Sequence, residues 1–196
     1  MVKKSFLNFL LLLVVTFSYA NALKQDEIQQ EMTKRIDNVL SILEKKDKSF
    51  TQKGEDIIKI IDDVFDYELM AKIALGKETW GTLTPEKQKH FAKVFENKLK
   101  KSYIEKLELY NDQKVKIIGL KPYNNTRLQL ETELLGKDGT YQINYNFYNK
   151  SKDSNEWLIY DVDLVGVSII QTYRQQFAGI LKEKTFDEMF EQFKNQ

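Results

Sequence analysis

The apolar residues of the first half of the chain recur every three or four positions, the spacing of one face of an α-helix. Ile28, Met32, Ile36, Val39, Leu40 and Leu43 define a first helix. The polar stretch EKKDKSFTQKGED, residues 44–56, is expected to end it. A second helix is predicted from Ile57, Ile58, Ile61, Val64 and Phe65.

Two further helices carry clear start signals. Asp66 is a good N-cap for a short helix that Gly76 would end. Thr84 and Pro85 open a longer helix, because Thr caps well and Pro suits the first helical position. Its apolar residues repeat at four-residue steps, a stripe that drifts around the axis and therefore favours wrapping over a curved surface: Phe91, Phe95, Leu99, Tyr103 and Leu107.

After Asn111 the pattern changes to the alternation of strands. Four segments are predicted as strands: KVKIIGL, TRLQLETELL, TYQINYNFYN and EWLIYDVDL. The turn signals PYNN, GKDG and NKSKDSN separate them, and such short connections make the strands antiparallel neighbours. Two helices end the chain; the second starts at a capping box formed by Thr185 and Glu188.

This order predicts an α+β fold, a single twisted antiparallel sheet of about four strands with helices packed on one face. The apolar faces are rich in aromatic residues, with 12 Phe and 10 Tyr. These residues can fill the space between sheet and helices, or they can enclose an apolar pocket suited to an apolar ligand. The sequence pattern leaves both arrangements open.

The N-terminus has the form of a secretory signal peptide. Lys3 and Lys4 precede an apolar run that is shorter than the ~20 residues of a membrane-spanning helix, and Ala20-Asn21-Ala22 is a typical cleavage site. We expect residues 1–22 to be removed and residues 23–196 to form one exported domain. An uncleaved membrane anchor is the alternative.

Charge and composition reduce the number of function classes that suit the chain. The whole chain has 30 basic and 29 acidic residues, and loss of Lys3 and Lys4 leaves 28 against 29. That balance argues against nucleic-acid binding, which usually requires a basic excess. The chain has no cysteine, which removes thiol nucleophiles and cysteine-based metal or iron–sulfur sites.

Candidate catalytic groups are few. His90 is the single histidine of the chain and has no partner at a spacing typical of metal ligation. Asp161 and Asp163 share one strand face and could form a carboxylate pair, although the wet edge of a strand explains them as well. Neither a G-x-S-x-G nor an H-E-x-x-H motif is present. We therefore expect no enzyme, no metal and no cofactor.

Two blocks of the sequence resemble the MlaC (toluene-tolerance) family of periplasmic lipid-binding proteins. The first block matches at Phe65, Asp66, Met70, Ala71, Leu75, Gly76, Trp80, Thr84, Pro85, Glu86, Phe91, Phe95, Leu99 and Tyr103. The second matches at Trp157, Asp161, Val162, Gly166, Val167, Ser168, Tyr173, Arg174 and Phe177. Lys87 departs from the glutamine that is common in this family, at a surface helix position.

The resemblance implies a monomeric carrier without catalytic activity that helps to maintain outer-membrane lipid asymmetry. Such a carrier shuttles glycerophospholipid between an outer-membrane lipoprotein–porin complex and an inner-membrane ABC transporter. The expected contacts with the acyl chains are Phe95, Leu99, Tyr103, Leu107, Phe147, Val165, Val167, Ile170 and Tyr173. Arg174 is expected at the headgroup or in a salt bridge, and Gly166 is expected to turn the chain sharply.

Two other functions stay open from the sequence. One is a periplasmic adaptor with a filled core that binds only protein partners. The other is an enzyme that uses Asp161 and Asp163. A cluster of Lys98, Lys100 and Lys101 could contact anionic headgroups or a partner, or could be only the solvated face of its helix.

Overall fold

The computed structural model describes residues 22–107, 110, 112–151 and 155–195. Residues 1–21 of the predicted signal peptide therefore lie outside the described residues. The helices are α1 (Ile28–Leu43), α2 (Phe50–Ile61), α3 (Tyr67–Leu75), α4 (Lys77–Thr82), α5 (Pro85–Lys106), α6 (Ile169–Ile180) and α7 (Phe186–Asn195). The strands are β1 (Lys114–Asn124), β2 (Arg127–Gly136), β3 (Gly139–Asn149), β4 (Trp157–Leu164) and β5 (Val167–Ser168).

The strands form one antiparallel sheet in the order β1-β2-β3-β4-β5. The α+β class and the four predicted strands are confirmed, but the strand count of about four was wrong. The fifth strand is two residues long and pairs Ser168 with Asp163 and Val167 with Leu164. A pair of residues has no measurable alternation, so the pattern of the sequence could not predict it.

The residues predicted to start helices form the expected capping hydrogen bonds. The Asp66 carboxylate accepts from the Leu69 amide at 2.8 Å, and the Thr84 hydroxyl accepts from the Lys87 amide at 3.3 Å. At α7 the Thr185 amide donates to Glu188 at 2.8 Å and the Glu188 amide donates back to Thr185 at 3.3 Å. Each of these pairs satisfies amides that the first helical turn leaves without a backbone partner.

The predicted second helix had the wrong limits. Helix α2 begins inside the polar stretch, at Phe50, because Ser49 and Gln52 form a capping box there. It ends before Val64, which lies in a 3₁₀ turn at Asp62–Val64. Phe65 is extended and bridges to Ile159 beside β4. The short helix α4 was not predicted.

The hydrophobic residues form two main cores. The sheet core packs Ile28 and Met32 of α1 against one face of the sheet, including Leu128, Leu130 and Phe147. The helical core is built by α3 to α7 around Phe91, Phe95, Leu99, Ile170, Phe177 and Phe193. Phe65 and Ile169 pack against both cores. Most helices therefore pack on one another, and only part of the helical layer covers the sheet.

Candidate functional site

The inward face of α5 changes character along its length. Phe91, Phe95 and Leu99 are buried in the helical core. Ser102 and Lys106 follow Leu99 at three- and seven-residue steps, which keeps them on the same helix face. They leave the core, however, and border open space beside the end of the sheet. The first part of this helix face is therefore closely packed in the core, and its last part forms one wall of a cleft.

The cleft has a volume of about 340 Å³. Helix α5 contributes Leu99, Ser102, Tyr103 and Lys106 to its lining. The β4–β5 turn and α6 supply the remaining lining residues, Leu164, Val167, Ile169, Thr172, Tyr173 and Gln176. The cleft lies where the helical core meets the sheet core, since Ile169 packs against both. Apolar and aromatic side chains form most of its surface.

The turn between β4 and β5 is a sharp one. Val165 has φ +53° and Gly166 has φ +79°. The left-handed region is accessible to glycine but strained for a β-branched residue. The predicted role of Gly166 in turning the chain is confirmed. The turn leaves Val165 64% and Val167 59% exposed, so it presents an apolar tip at the edge of the cleft.

Asp161 fixes this turn to the start of α6. Its carboxylate accepts hydrogen bonds from the Val162 amide at 2.9 Å, the Ser168 hydroxyl at 2.5 Å and the Ile170 amide at 3.1 Å. Ser168 in turn caps α6 by accepting from the Gln171 amide at 3.0 Å. Burial raises the pKa of Asp161, although these three hydrogen bonds oppose the shift. Two walls of the cleft therefore depend on one carboxylate.

Two tyrosines connect the cleft to the core. The Tyr173 ring meets the Phe95 ring edge to face, with centroids 5.1 Å apart. Tyr103 is 37% exposed, yet its pKa is raised because its phenol is desolvated and lies within electrostatic reach of Tyr173. Burial likewise raises the pKa of Tyr173. Both phenols are therefore neutral at physiological pH, and an apolar ligand would meet no phenolate there.

Comparison with known proteins identifies the family. A family model described as MlaC protein matches residues 33–195. The chain belongs to the MlaC family. The resemblance found in the two sequence blocks is confirmed.

Individual members of the MlaC family are distant from this chain. The intermembrane phospholipid transport system binding protein MlaC of Haemophilus influenzae is 24% identical over 162 residues, or 80% of this chain and 75% of that protein. The toluene tolerance protein Ttg2D of Pseudomonas putida is 25% identical over 130 residues, or 66% of this chain and 59% of that protein.

A solved structure has the same fold. The phospholipid-binding protein of Ralstonia solanacearum, determined in complex with a phospholipid, superposes with a TM-score of 0.68 at 24% identity. The superposition covers 84% of this chain and 97% of that protein. The α+β arrangement of sheet and helices is thus that of an experimentally determined protein.

Four of the nine residues predicted from the MlaC resemblance line the cleft: Leu99, Tyr103, Val167 and Tyr173. Phe95 and Ile170 lie in the helical core and Phe147 in the sheet core, all at most 1% exposed. Leu107 packs against a third cluster around Ile42, Leu43 and Ile57. Val165 sits at the exposed tip of the turn. The other five residues therefore do not line the cleft in this structure.

The charged residue in the described cleft lining is not Arg174, the residue expected at the headgroup or in a salt bridge. Arg174 is exposed on α6, whereas the cleft-lining positions of that helix are Ile169, Thr172, Tyr173 and Gln176. Lys106 lines the cleft instead. The three-to-four-residue steps that place Phe95 and Leu99 inward also place Ser102 and Lys106 inward, so the signal was present in the sequence. Lys106 was missed because only the apolar residues of this helix face were considered as cleft residues.

The predicted lysine cluster is divided among separate contacts. Lys98 lies 5.9 Å from the centroid of the Phe193 ring. Lys100 pairs with Glu96 at 2.5 Å and also with Asp62. Lys101 is 3.8 Å from Glu105 on the exposed face. Lys100 and Lys101 line one common pocket beside Thr51, whereas Lys98 does not line it.

The candidate catalytic residues have structural partners. Asp163 accepts a hydrogen bond from the Gln129 side chain at 3.2 Å, while the Asp161 carboxylate is occupied by the turn and α6. The His90 ring lies edge-on to Phe190, with centroids 5.1 Å apart. Within the described residues no group of three or more His, Cys, Asp or Glu side chains could hold a metal ion.

Among the helices of the described part of the chain, none is long and apolar enough to cross a bilayer.

Proposed function

We propose that this chain is a periplasmic phospholipid carrier that holds acyl chains in the cleft between α5, α6 and the β4–β5 turn. The observation that carries the proposal is the cleft itself, an apolar surface open to solvent at the junction of two cores. Membership of the MlaC family supports it, and so does the phospholipid found with the Ralstonia solanacearum protein. The carrier would have no catalytic activity.

The energetics explain why a carrier is needed. Burial of a methylene group stabilises by about 0.8 kcal/mol, so two chains of roughly 16 carbons resist transfer into water by more than about 20 kcal/mol. A lipid monomer therefore does not cross an aqueous space at a useful rate. A protein that covers the chains and leaves the charged headgroup in water removes most of that barrier.

The size of the cleft implies a change of shape on loading. Its 340 Å³ lies near the lower end of the range of about 300–1,000 Å³ for ligand pockets. A phospholipid with two chains of roughly 16 carbons is larger than the drug-sized ligands that pockets of this range hold. We infer that the helical core moves away from the sheet when lipid enters. Phe65 and Ile169, which pack against both cores, are the contacts that would adjust.

The wider role follows from the same proposal. After cleavage of the signal peptide the mature carrier would be a periplasmic monomer, residues 23–196. It would exchange glycerophospholipid with an outer-membrane lipoprotein–porin complex and an inner-membrane ABC transporter, and so maintain outer-membrane lipid asymmetry. The carrier itself need not supply direction, because a docking partner or ATP hydrolysis elsewhere can do so.

Native mass spectrometry tests the proposal. The full chain is expressed with its signal peptide, purified from the periplasmic fraction without added lipid, and sprayed from a volatile buffer. We expect the mass of the protein cleaved after Ala22 plus the mass of bound phospholipid, identified by fragmentation and by solvent extraction.

Other outcomes support the other functions. A lipid-free mass together with a tight protein complex would support an adaptor with a filled core, a reading to which the solid packing of Phe95 and Phe147 gives some weight. A hydrolytic activity that Asp161→Asn abolishes would support an enzyme. Either result would contradict the carrier.

A further inference from the structure

Lys106 occupies an unusual position for a lysine. It is the last residue of α5 and lies on the helix face that carries Phe95 and Leu99 into the helical core. A lysine on a core-facing stripe normally reaches solvent or a carboxylate partner. The side chain of Lys106 is exposed because the stripe borders the cleft at that point.

The other lysines of the same helix are mostly engaged. Lys87 pairs with Asp187 at 2.7 Å, Lys93 with Glu96 at 3.0 Å, and Lys100 with Glu96 at 2.5 Å. Within the described residues Lys106 makes neither a hydrogen bond nor an ion pair. Among the described residues, no side chain therefore competes with a ligand in the cleft for its ammonium group.

The other residues that line the cleft determine which kind of ligand the Lys106 charge suits. Of the ten described residues that line the cleft, Lys106 is the charged one, and none is a carboxylate. Ser102, on α5, and Thr172, on α6, add hydroxyl groups to the same space. Leu99, Leu164 and Val167 supply apolar surface. An apolar cleft with a single cation in its described lining matches an amphiphile whose polar end is an anion.

We propose that Lys106 contacts the anionic headgroup of the cargo and makes the carrier favour lipids of net negative charge over zwitterionic ones. The inference rests on the proposed function, since a headgroup is present only if lipid is bound. A phosphatidylglycerol phosphate would meet the ammonium group unopposed. In phosphatidylethanolamine the lipid's own ammonium group competes for the same phosphate, which weakens the contact. The same chemistry could also attract inorganic phosphate.

Lipid selection from mixed vesicles tests the proposal. The purified chain is incubated with an excess of vesicles of equimolar phosphatidylglycerol and phosphatidylethanolamine and separated from them. The two lipids are then quantified by mass spectrometry relative to protein. We expect phosphatidylglycerol to be enriched about two- to fivefold in the wild-type protein, the range of a solvent-accessible ion pair.

Variants of the lysine isolate its charge. Lys106→Gln should bind the same total lipid but lose the enrichment, and Lys106→Arg should retain it. Lys89→Gln is the matched control, because Lys89 is exposed on the same helix, about 25 Å away along the axis at 1.5 Å per residue. It should behave as the wild type. The arginine variant separates a role of the charge from a role of the long side chain in covering apolar surface.

Four results would overturn the inference. Equal selectivity in wild type and Lys106→Gln would remove the role of the lysine. Inorganic phosphate that binds the lipid-free wild type at millimolar concentration, and not Lys106→Gln, would assign the site to free phosphate. Lipid uptake without selectivity in any variant would refute this inference alone, whereas no lipid uptake by the wild type would refute the proposed function and this inference with it.

Discussion

The carboxylate of Asp161 accepts a hydrogen bond from the Ser168 hydroxyl, with 2.5 Å between the two oxygens, across the turn that connects β4 to β5. The same carboxylate accepts from the Ile170 amide at the start of α6. We expect Asp161→Ala to lower the free energy of unfolding by about 2–4 kcal/mol, because buried donors lose their acceptor. Asp161→Asn retains an oxygen and should lower it by about 1 kcal/mol or less. Urea denaturation measures both.

The pH dependence of the same residue gives a second measurement. Burial raises the pKa of Asp161 above its ordinary value of 3.8, so the folded protein binds this proton more tightly than the unfolded chain does. The stability that this group contributes is present below pH 3.8 and is lost as the pH rises through the folded pKa. The free energy of unfolding of the wild type should therefore fall relative to Asp161→Asn as the pH rises from 3.8 through the raised pKa of the folded protein. A constant difference would show that Asp161 is not desolvated.

The helical elements were predictable because their signals are local. Asp66, Thr84 and Thr185 each cap a helix through a residue three positions later, a relationship that the sequence displays directly. The capping box of Ser49 and Gln52 was equally local, but it was overlooked inside a polar stretch. The four long strands were found from their alternation, which reports one covered and one wetter face.

The candidate site was less predictable because it depends on where two cores end. Phe95 and Leu99 belong to one apolar stripe, yet the first is surrounded by rings and the second borders the cleft. The position of the β4–β5 turn relative to α5 determines where the solid packing ends. No local pattern in the sequence indicates that position. Phe147 has the apolar character of a pocket residue but lies in the sheet core.

A bulky residue at Val167 tests the position of the acyl chains. Val167 lines the cleft and is 59% exposed, so Val167→Trp can be accommodated with a change in stability of about 0.5 kcal/mol or less while its ring occupies the cleft. We expect a cooperative thermal melt like that of the wild type and no co-purified phospholipid. Ile118→Trp is the control, since Ile118 is 46% exposed on β1 and does not line the cleft. Unchanged lipid content in Val167→Trp would place the chains elsewhere.

Lys100 joins α5 to the 3₁₀ turn before α3. Its ammonium group pairs with Glu96 at 2.5 Å and with Asp62, and it lies 4.7 Å from the centroid of the Tyr67 ring. We expect Lys100→Met to lower the free energy of unfolding by about 1–2 kcal/mol at neutral pH, because Asp62 loses its cation and Glu96 keeps only Lys93. Lys101→Met, which removes only an exposed pair at 3.8 Å from Glu105, should change it by less than about 0.5 kcal/mol.

The destabilisation of Lys100→Met should depend on pH. Burial alone would raise the pKa of Glu96, but hydrogen bonds from Lys100 and Lys93 outweigh burial and lower it below its ordinary value of 4.5. The stability linked to this depression is present above pH 4.5 and is lost as the pH falls through the folded pKa. The difference between wild type and Lys100→Met should therefore shrink on acidification. Denaturation at neutral pH and near pH 3.5 measures this difference in the free energy of unfolding. A difference that is the same at both pH values would contradict the stabilisation of the Glu96 carboxylate by Lys100.

Gly54 permits the close approach of α2 to α5. A Cβ atom at this position would lie 2.6 Å from Cγ1 and 2.7 Å from Cγ2 of Ile104, too close for any real contact. Replacement of glycine by alanine inside a helix normally stabilises by about 1 kcal/mol. Here the overlap should reverse the sign, and we expect Gly54→Ala to lower the free energy of unfolding by about 1–3 kcal/mol.

A double-mutant cycle separates this overlap from other effects of Gly54→Ala. Ile104→Ala removes the atoms that the new methyl group would meet, so Gly54→Ala should become neutral or stabilising in that background, with a coupling energy of about 1–3 kcal/mol. Gly179→Ala in α6 is the matched control, because a Cβ there meets nothing within 4 Å and should give the ordinary gain of about 0.5–1 kcal/mol. Equal effects of Gly54→Ala with and without Ile104 would mean that α2 and α5 do not meet at this contact.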